Sequence, residues 1–170
     1  MTRSAAISIH TDGACIGNPG PGGYGIVVLR GSARAELAGG FARTTNNRME
    51  ILAAIVAIES LEPGARATLE SDSRLLVDAI AKGWAVRWRK NGWMRNKDER
   101  ALNPDLWARL LDALATRTIT FRWVKGHAGN RENERCDALA NAAARGRDLA
   151  EDAGYAVERA GGPSRPSLFP

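Results

Sequence analysis

Apolar and polar positions change period several times along the chain, and each change marks an element. Ala5 to His10 (AAISIH) alternates apolar with small or polar residues, the period-two pattern of a strand, and Ile26 to Arg30 (IVVLR) is a second. Gly31-Ser32 reads as a tight turn into a third strand, Ala35 to Arg43. Asn47 with Glu50 three residues on has the form of a capping-box helix start. The run ILAAIVAIESL that follows is apolar on almost every side, which predicts a helix buried against a sheet and ended by Pro63-Gly64. Arg66 to Glu70 is a fourth strand, and Ser71-Asp72-Ser73 caps a short helix carrying Leu75, Leu76, Ala79 and Ile80. Asn103-Pro104-Asp105 opens an amphipathic helix, and Thr118 to Lys125 alternates as a strand. A polar loop spans Gly126 to Asn133, and Glu134 to Arg145 forms the last helix.

The order is therefore βββαβα, an insert over residues 82–100, then αβα. Three meandering strands followed by helix-separated strands predict an α/β domain, a mixed sheet with helices on its faces. We expect a single domain over residues 1–157 and a disordered Gly-, Pro- and Ser-rich tail over 158–170.

Composition changes this picture little. At 170 residues, 44% apolar and 25% charged, the chain fits one soluble globular domain. Its longest apolar run, Ile51 to Ile58, is too short to cross a bilayer. The N-terminus lacks the apolar core of a signal peptide. Cys15 and Cys136 form no CxxC motif, which argues against a disulfide framework or zinc site and suits a reducing cytoplasm. Charge is more informative. Residues 82–100 hold seven Lys or Arg against two acids, so this one segment carries the entire net charge of +5. Charge localised in this way is the footprint of a nucleic-acid backbone or another polyanion.

Candidate chemistry begins in Thr11 to Gly25 (TDGACIGNPGPGGYG), which holds six glycines. Asp12 stands where the first strand is expected to run out, as a turn former or a metal ligand. Asp72 ends the fourth strand, as a helix cap or a second ligand. If those strands are parallel neighbours, the two carboxylates meet at one edge. Glu50 reads as a capping acid or a third ligand, and Asp137 as a first-turn acid or a fourth. Carboxylates gathered without matched cations repel, and divalent metal is what keeps them ionised together. Hard oxygen ligands favour Mg²⁺ or Mn²⁺, and a pair of such ions serves phosphoryl displacement. His127, in the glycine-flanked loop KGHAGN, is suited to accepting or relaying a proton. His10 reads as an ordinary strand residue. In the insert, Trp84, Trp88 and Trp93 stand beside Lys82, Arg87, Arg89, Lys90, Arg95 and Lys97. They form either a small tryptophan core or a surface for sugar, base and phosphate.

Taken together, TDGACIGNPGPGGYG, RTTNNRMEILAAI, SDS, KNGW, NPDLW and WVKGHAGNRENERCDALA resemble the type 1 ribonuclease H family in its bacterial form with a basic protrusion. The resemblance runs from about Ile7 to Val157. It implies a five-stranded mixed sheet of order 3-2-1-4-5, and an endonuclease that hydrolyses the RNA strand of RNA–DNA hybrids, leaving 5′-phosphate and 3′-hydroxyl ends. It implies Asp12, Glu50, Asp72 and Asp137 as ligands for two Mg²⁺, with Mn²⁺ able to substitute, and His127 as an aid to proton transfer or product release. Asn18, Asn46 and Asn47 map onto contacts with the hybrid's minor groove. Arg43, Thr45 and Asn103 map onto a phosphate pocket for the DNA strand, and the Trp84 to Lys97 region, including Trp88, Arg89, Lys90 and Trp93, onto the protrusion. Arg74 stands where relatives usually carry Gln, turning a groove contact into a phosphate contact. The expected enzyme is monomeric and cytoplasmic, takes an RNA–DNA hybrid as its partner, has no membrane partner and is indifferent to sequence.

Overall fold

The alternation of Ile7 and Ile9 with Ser8 and His10 buries the two isoleucines and starts the sheet. The computed structural model describes residues 5–160. Its strands are β1 (Ile7–Cys15), β2 (Gly20–Arg30), β3 (Ala33–Thr44), β4 (Arg66–Ser71) and β5 (Thr118–Trp123). Its helices are α1 (Asn46–Glu59), α2 (Arg74–Ala81), α3 (Trp84–Lys90), α4 (Pro104–Leu114), α5 (Arg131–Ala144) and α6 (Ala153–Arg159). One sheet of order β3-β2-β1-β4-β5 results, with β1–β2 and β2–β3 antiparallel and β1–β4 and β4–β5 parallel. This is the order that the resemblance implies.

α1 is buried along nearly its whole length, as its apolar run predicts, between β1 on one side and α4 on the other. Trp107 of α4 is the largest side chain sealed in that layer. α5 covers the opposite face, lying across β1, β2 and β3.

The glycine-rich segment is not the extended loop its composition suggests. The β1–β2 ladder continues through Asp12↔Gly25 and Ala14↔Gly23 to Cys15↔Gly22, which leaves only residues 16–19 as a turn. Gly23 and Gly25 answer to α5. A Cβ on Gly25 would collide with the Cys136 carbonyl, and one on Gly23 with the Ala140 carbonyl, so the helix backbone rests directly on the strand.

Other boundaries move for local reasons. α1 is capped by Thr45, whose hydroxyl accepts from the Arg48 N–H at 3.2 Å, and not by an Asn47–Glu50 box. Ser73 caps α2, which leaves the Asp72 carboxylate uncommitted. α5 starts at Arg131 because the Asn130 side chain accepts from the Asn133 N–H at 3.1 Å. α6, absent from the sequence reading, is capped by Asp152 and takes in residues 158 and 159, which were expected in the tail. Residues 161–170 of that tail lie outside the described residues.

Candidate active site

The parallel register between β1 and β4 ends at His10↔Glu70, and Asp12 and Asp72 each stand two residues beyond that pair. The two carboxylates so project from one edge of the sheet. Glu50 arrives from α1, which presses so closely on β1 that a Cβ on Gly13 would lie 2.5 Å from the Glu50 nitrogen. Carboxylate oxygens of Asp12, Glu50 and Asp72 lie within 4.8 Å of one another. Asp12 and Glu50 are each 5% exposed. Asp12 Oδ1 accepts from the Gly13 N–H at 2.9 Å, whereas Glu50 Oε2 is buried without a partner. None of the three acids forms an ion pair among the described residues.

The electrostatics follow from this arrangement. Burial pushes the Asp12 carboxyl up to about 7; the charges of Asp72 and Asp137 add to the rise, while bonds to Glu50 and the Gly13 amide oppose it. Burial, then the Asp12 charge, holds Glu50 well above the ordinary carboxylate range. Two buried carboxylates in contact, an orphaned carboxylate oxygen and no neutralising side chain together fit a divalent cation with hard oxygen ligands.

Asp137, on α5, lines the same cleft of about 540 Å³ but lies outside the tight cluster of three. Its Oδ1 accepts from Asn141 Nδ2 at 3.1 Å. His127, in the β5–α5 loop, stands at φ 54 and also lines the cleft, as do Asn46, Asn47 and Arg74. The loop comes right up to the acids, because a Cβ on Gly126 would lie 2.6 Å from Asp72 Oδ2. On the other side of Asp72, its carbonyl accepts from Trp123 Nε1 at 3.1 Å, and the Arg74 guanidinium lies 3.8 Å above the Trp123 ring.

The sequence profile of the RNase H family matches residues 4–145. The chain is 61% identical over 149 residues to a protein named Ribonuclease H from Syntrophus aciditrophicus, covering 88% of this chain and 86% of that one. It is 52% identical over 151 residues to Ribonuclease HI of a Synechocystis species, covering 88% and 94%. Among solved structures it superposes on LC9-RNase H1, described as a type 1 RNase H with the type 2 active-site motif, with a TM-score of 0.74 at 30% identity over 85% of this chain and 74% of that one. The chain belongs to the RNase H family. It is a type 1 bacterial member, hence an endoribonuclease, and the family's activity is cleavage of RNA in RNA–DNA hybrids.

Within this RNase H, the residues singled out by sequence do not all gather at the acids. Asn18 Oδ1 accepts from the Asn46 N–H at 3.0 Å, so that side chain also braces the turn against the start of α1. Thr45 is occupied as the α1 cap, and Arg43 lines a separate depression with Tyr155 and Arg159. Asn103 is buried and accepts from Arg48 Nη1 at 3.2 Å. In the insert, the tryptophans pack as a small core. Trp84 and Trp88 lie 6.4 Å apart, and Trp88 meets the core residue Trp107 edge-on at 5.7 Å. Trp93 is half-buried against the same core. Trp84 and Trp88 nevertheless line a groove of about 370 Å³ together with Arg87 and Arg95. Arg89 is paired with Asp112 at 2.9 Å, whereas Lys90 and Lys97 make no ion pair among the described residues.

Sequence reasoning missed Trp123 and Gly126 as supports of Asp72, although both lie inside the WVKGHAGN motif. It also missed Arg48, whose signal was a basic residue two positions before Glu50 inside an apolar helix.

Proposed function

We propose that this RNase H hydrolyses the RNA strand of RNA–DNA hybrids using two Mg²⁺ held by Asp12, Glu50, Asp72 and Asp137, leaving 5′-phosphate and 3′-hydroxyl ends. The observation that carries this reading is the unneutralised cluster of Asp12, Glu50 and Asp72 in an open polar cleft. Mg²⁺ or Mn²⁺ held by these residues would polarise the phosphoryl oxygens and make the attacking water more acidic. Asp12 and Glu50, buried and fixed on two packed elements, form the rigid part of the ligand set. Asp137, at the rim and bonded to Asn141, completes it from α5. The water oxygen bonds to phosphorus as the P–O3′ bond breaks; His127 takes up the proton that the water gives up, and the departing 3′-oxygen is protonated from solvent.

Substrate choice falls to the amides along the cleft. Asn46 and Asn47, with Asn18 behind them, offer donors and acceptors to the minor groove, where the 2′-hydroxyl separates RNA from DNA. Arg74 reaches an RNA-strand phosphate from its platform on Trp123. Arg43, Thr45 and Asn103 serve the DNA-strand phosphates, and Trp84, Trp88, Arg89, Lys90, Trp93 and Lys97 carry the duplex beyond the cleft. These contacts go to backbone and groove shape, so cleavage is indifferent to base sequence. One copy of the chain brings all four acids, which supports a monomer, and its two free thiols suit the cytoplasm.

The test is cleavage of matched RNA–DNA, RNA–RNA and DNA–DNA duplexes with Mg²⁺, Mn²⁺ or chelator. Cleavage confined to the RNA of the hybrid, and abolished by chelator, is expected. Equal cleavage of all three, or activity in chelator, overturns the reading.

A further inference from the structure

Arg48 is only 1% exposed, yet all five of its N–H groups are bonded. Nε and Nη2 donate to Asp152 at 2.7 and 3.0 Å. Nη1 and Nη2 donate to Asp105 at 2.9 and 2.7 Å, and the second Nη1 hydrogen goes to Asn103 Oδ1 at 3.2 Å. Asp152 Oδ2 also accepts from the Thr44 hydroxyl at 2.6 Å. A single guanidinium thus joins the end of β3, the start of α1, the start of α4 and the cap of α6. Burial works against ionising Asp152, but the Arg48 and Thr44 bonds hold its carboxyl below the ordinary range. α6 can sit this close only because residue 154 is glycine; any Cβ there would strike the Asp105 carboxylate and Arg48 Nη2.

The orientation of Asn103 follows from these bonds. A guanidinium only donates, so the amide atom that faces Arg48 must be Oδ1. Nδ2 is therefore turned away from the network. It makes no hydrogen bond among the described residues and is not sealed from solvent. The backbone is held as well: Asn103 stands at φ 59, and its N–H donates to Glu158 Oε1 of α6 at 3.2 Å.

We infer that Asp152, acting through Arg48, is a positioning residue that presents the Asn103 Nδ2 donors to a phosphodiester oxygen of the hybrid. This rests on the proposed reading of Asn103 as a phosphate contact. It gives α6 a part in substrate binding although that helix contributes no residue to the cleft of the acids. The donor so placed is neutral, so it adds binding without adding charge.

The test is a double-mutant cycle in the full chain, reading KM and kcat on an RNA–DNA hybrid together with Tm. Asp152→Asn places an amide where two carboxylate oxygens accepted from Arg48 and Thr44. It should raise KM about tenfold, the loss of one hydrogen bond to a charged acceptor, with kcat unchanged. The dependence of KM on salt should keep its slope, because no cation is removed. Asn103→Gly, which tolerates the positive φ, should raise KM similarly, and Asp152→Asn added to it should raise KM no further. Asp105→Asn should give a smaller rise that also vanishes in the Asn103→Gly background, and it serves if Asp152→Asn does not fold. Additive KM losses, or a lowered Tm with KM unchanged, would mean that the network is structural alone and overturn the inference. Failure of the wild-type chain to cleave the hybrid would instead overturn the proposed function.

Discussion

The Asp72 carboxylate occupies the space where a side chain on Gly126 would begin, 2.6 Å from Oδ2 to a Cβ built there. A carboxylate can swing aside more easily than a backbone, so the fold tolerates an alanine at that position and the site does not. Gly126→Ala should therefore lower kcat by about 10²-fold, the effect of a reacting group misplaced by ~1 Å. Thermal unfolding should move by less than about 1 kcal/mol. A variant with full activity would mean that Asp72 has room to spare.

The buried acids link metal, proton and stability. Asp12 titrates at about 7 in the folded chain, chiefly through burial, against an ordinary value of 3.8. The folded state therefore holds this proton more tightly than the unfolded state. The contribution of this carboxyl to the stability of the metal-free protein is full below about pH 4 and is lost as pH rises through about 7. Mg²⁺ bound by the proposed ligand set would displace that proton, so it should raise Tm little at pH 5 and much more at pH 8, as read by calorimetry with and without the ion. Asp12→Asn should abolish cleavage and flatten the metal-free Tm over the same window. Equal Mg²⁺ shifts at the two pH values would contradict the assignment.

The cations of the insert are not equivalent. Lys90 and Lys97 make no ion pair among the described residues, while Arg89 is engaged by Asp112. Lys90→Ala and Lys97→Ala should each reduce the slope of log Kd against log salt by about 1. Arg89→Ala should reduce it less, since its charge is already partly met. Fluorescence anisotropy with a labelled hybrid over a salt series checks this, and equal slope changes in all three would refute it.

Gly25 makes the opposite test to Gly126. Its missing side chain faces the Cys136 carbonyl, which is helix backbone and cannot step aside. Gly25→Ala should cost more than about 2 kcal/mol through overpacking between β2 and α5. Denaturant unfolding gives the value, and a cost near zero would show that α5 can lift off the sheet.

These glycines explain why part of the fold was legible in sequence and part was not. Strand alternation and the apolar run of α1 are local signals, and they placed most of the sheet and its buried helix. Gly20 to Gly25 read as loop because glycine is depleted in strands. At Gly23 and Gly25 its use answers to α5, more than 100 residues away along the chain. α6 has no fully buried residue and spans only 7 residues, so periodicity does not reveal it. Position alone left each of the four acids open to a reading as cap or turn former, and the family resemblance is what groups them as ligands. That three of them gather within 4.8 Å while Asp137 stays at the rim depends on how deep α5 sits, which no local pattern encodes.

The register of β4 against β1 has a consequence for how this chain can change length. Asp12 and Asp72 meet because each lies two residues past His10↔Glu70, so the sheet acts as a gauge that sets one carboxylate against the other. A single residue added or lost between Ala67 and Asp72 would turn every side chain beyond it to the other face of the sheet. It would bring Ser71 or Ser73 to the place of the carboxylate even if the strands still paired. Insertions and deletions are therefore expected in the Gly31 turn, around Pro63 or within residues 82–100, where nothing is counted. The two five-residue steps, Ile7 to Asp12 and Ala67 to Asp72, should keep their length however far the rest of the sequence drifts.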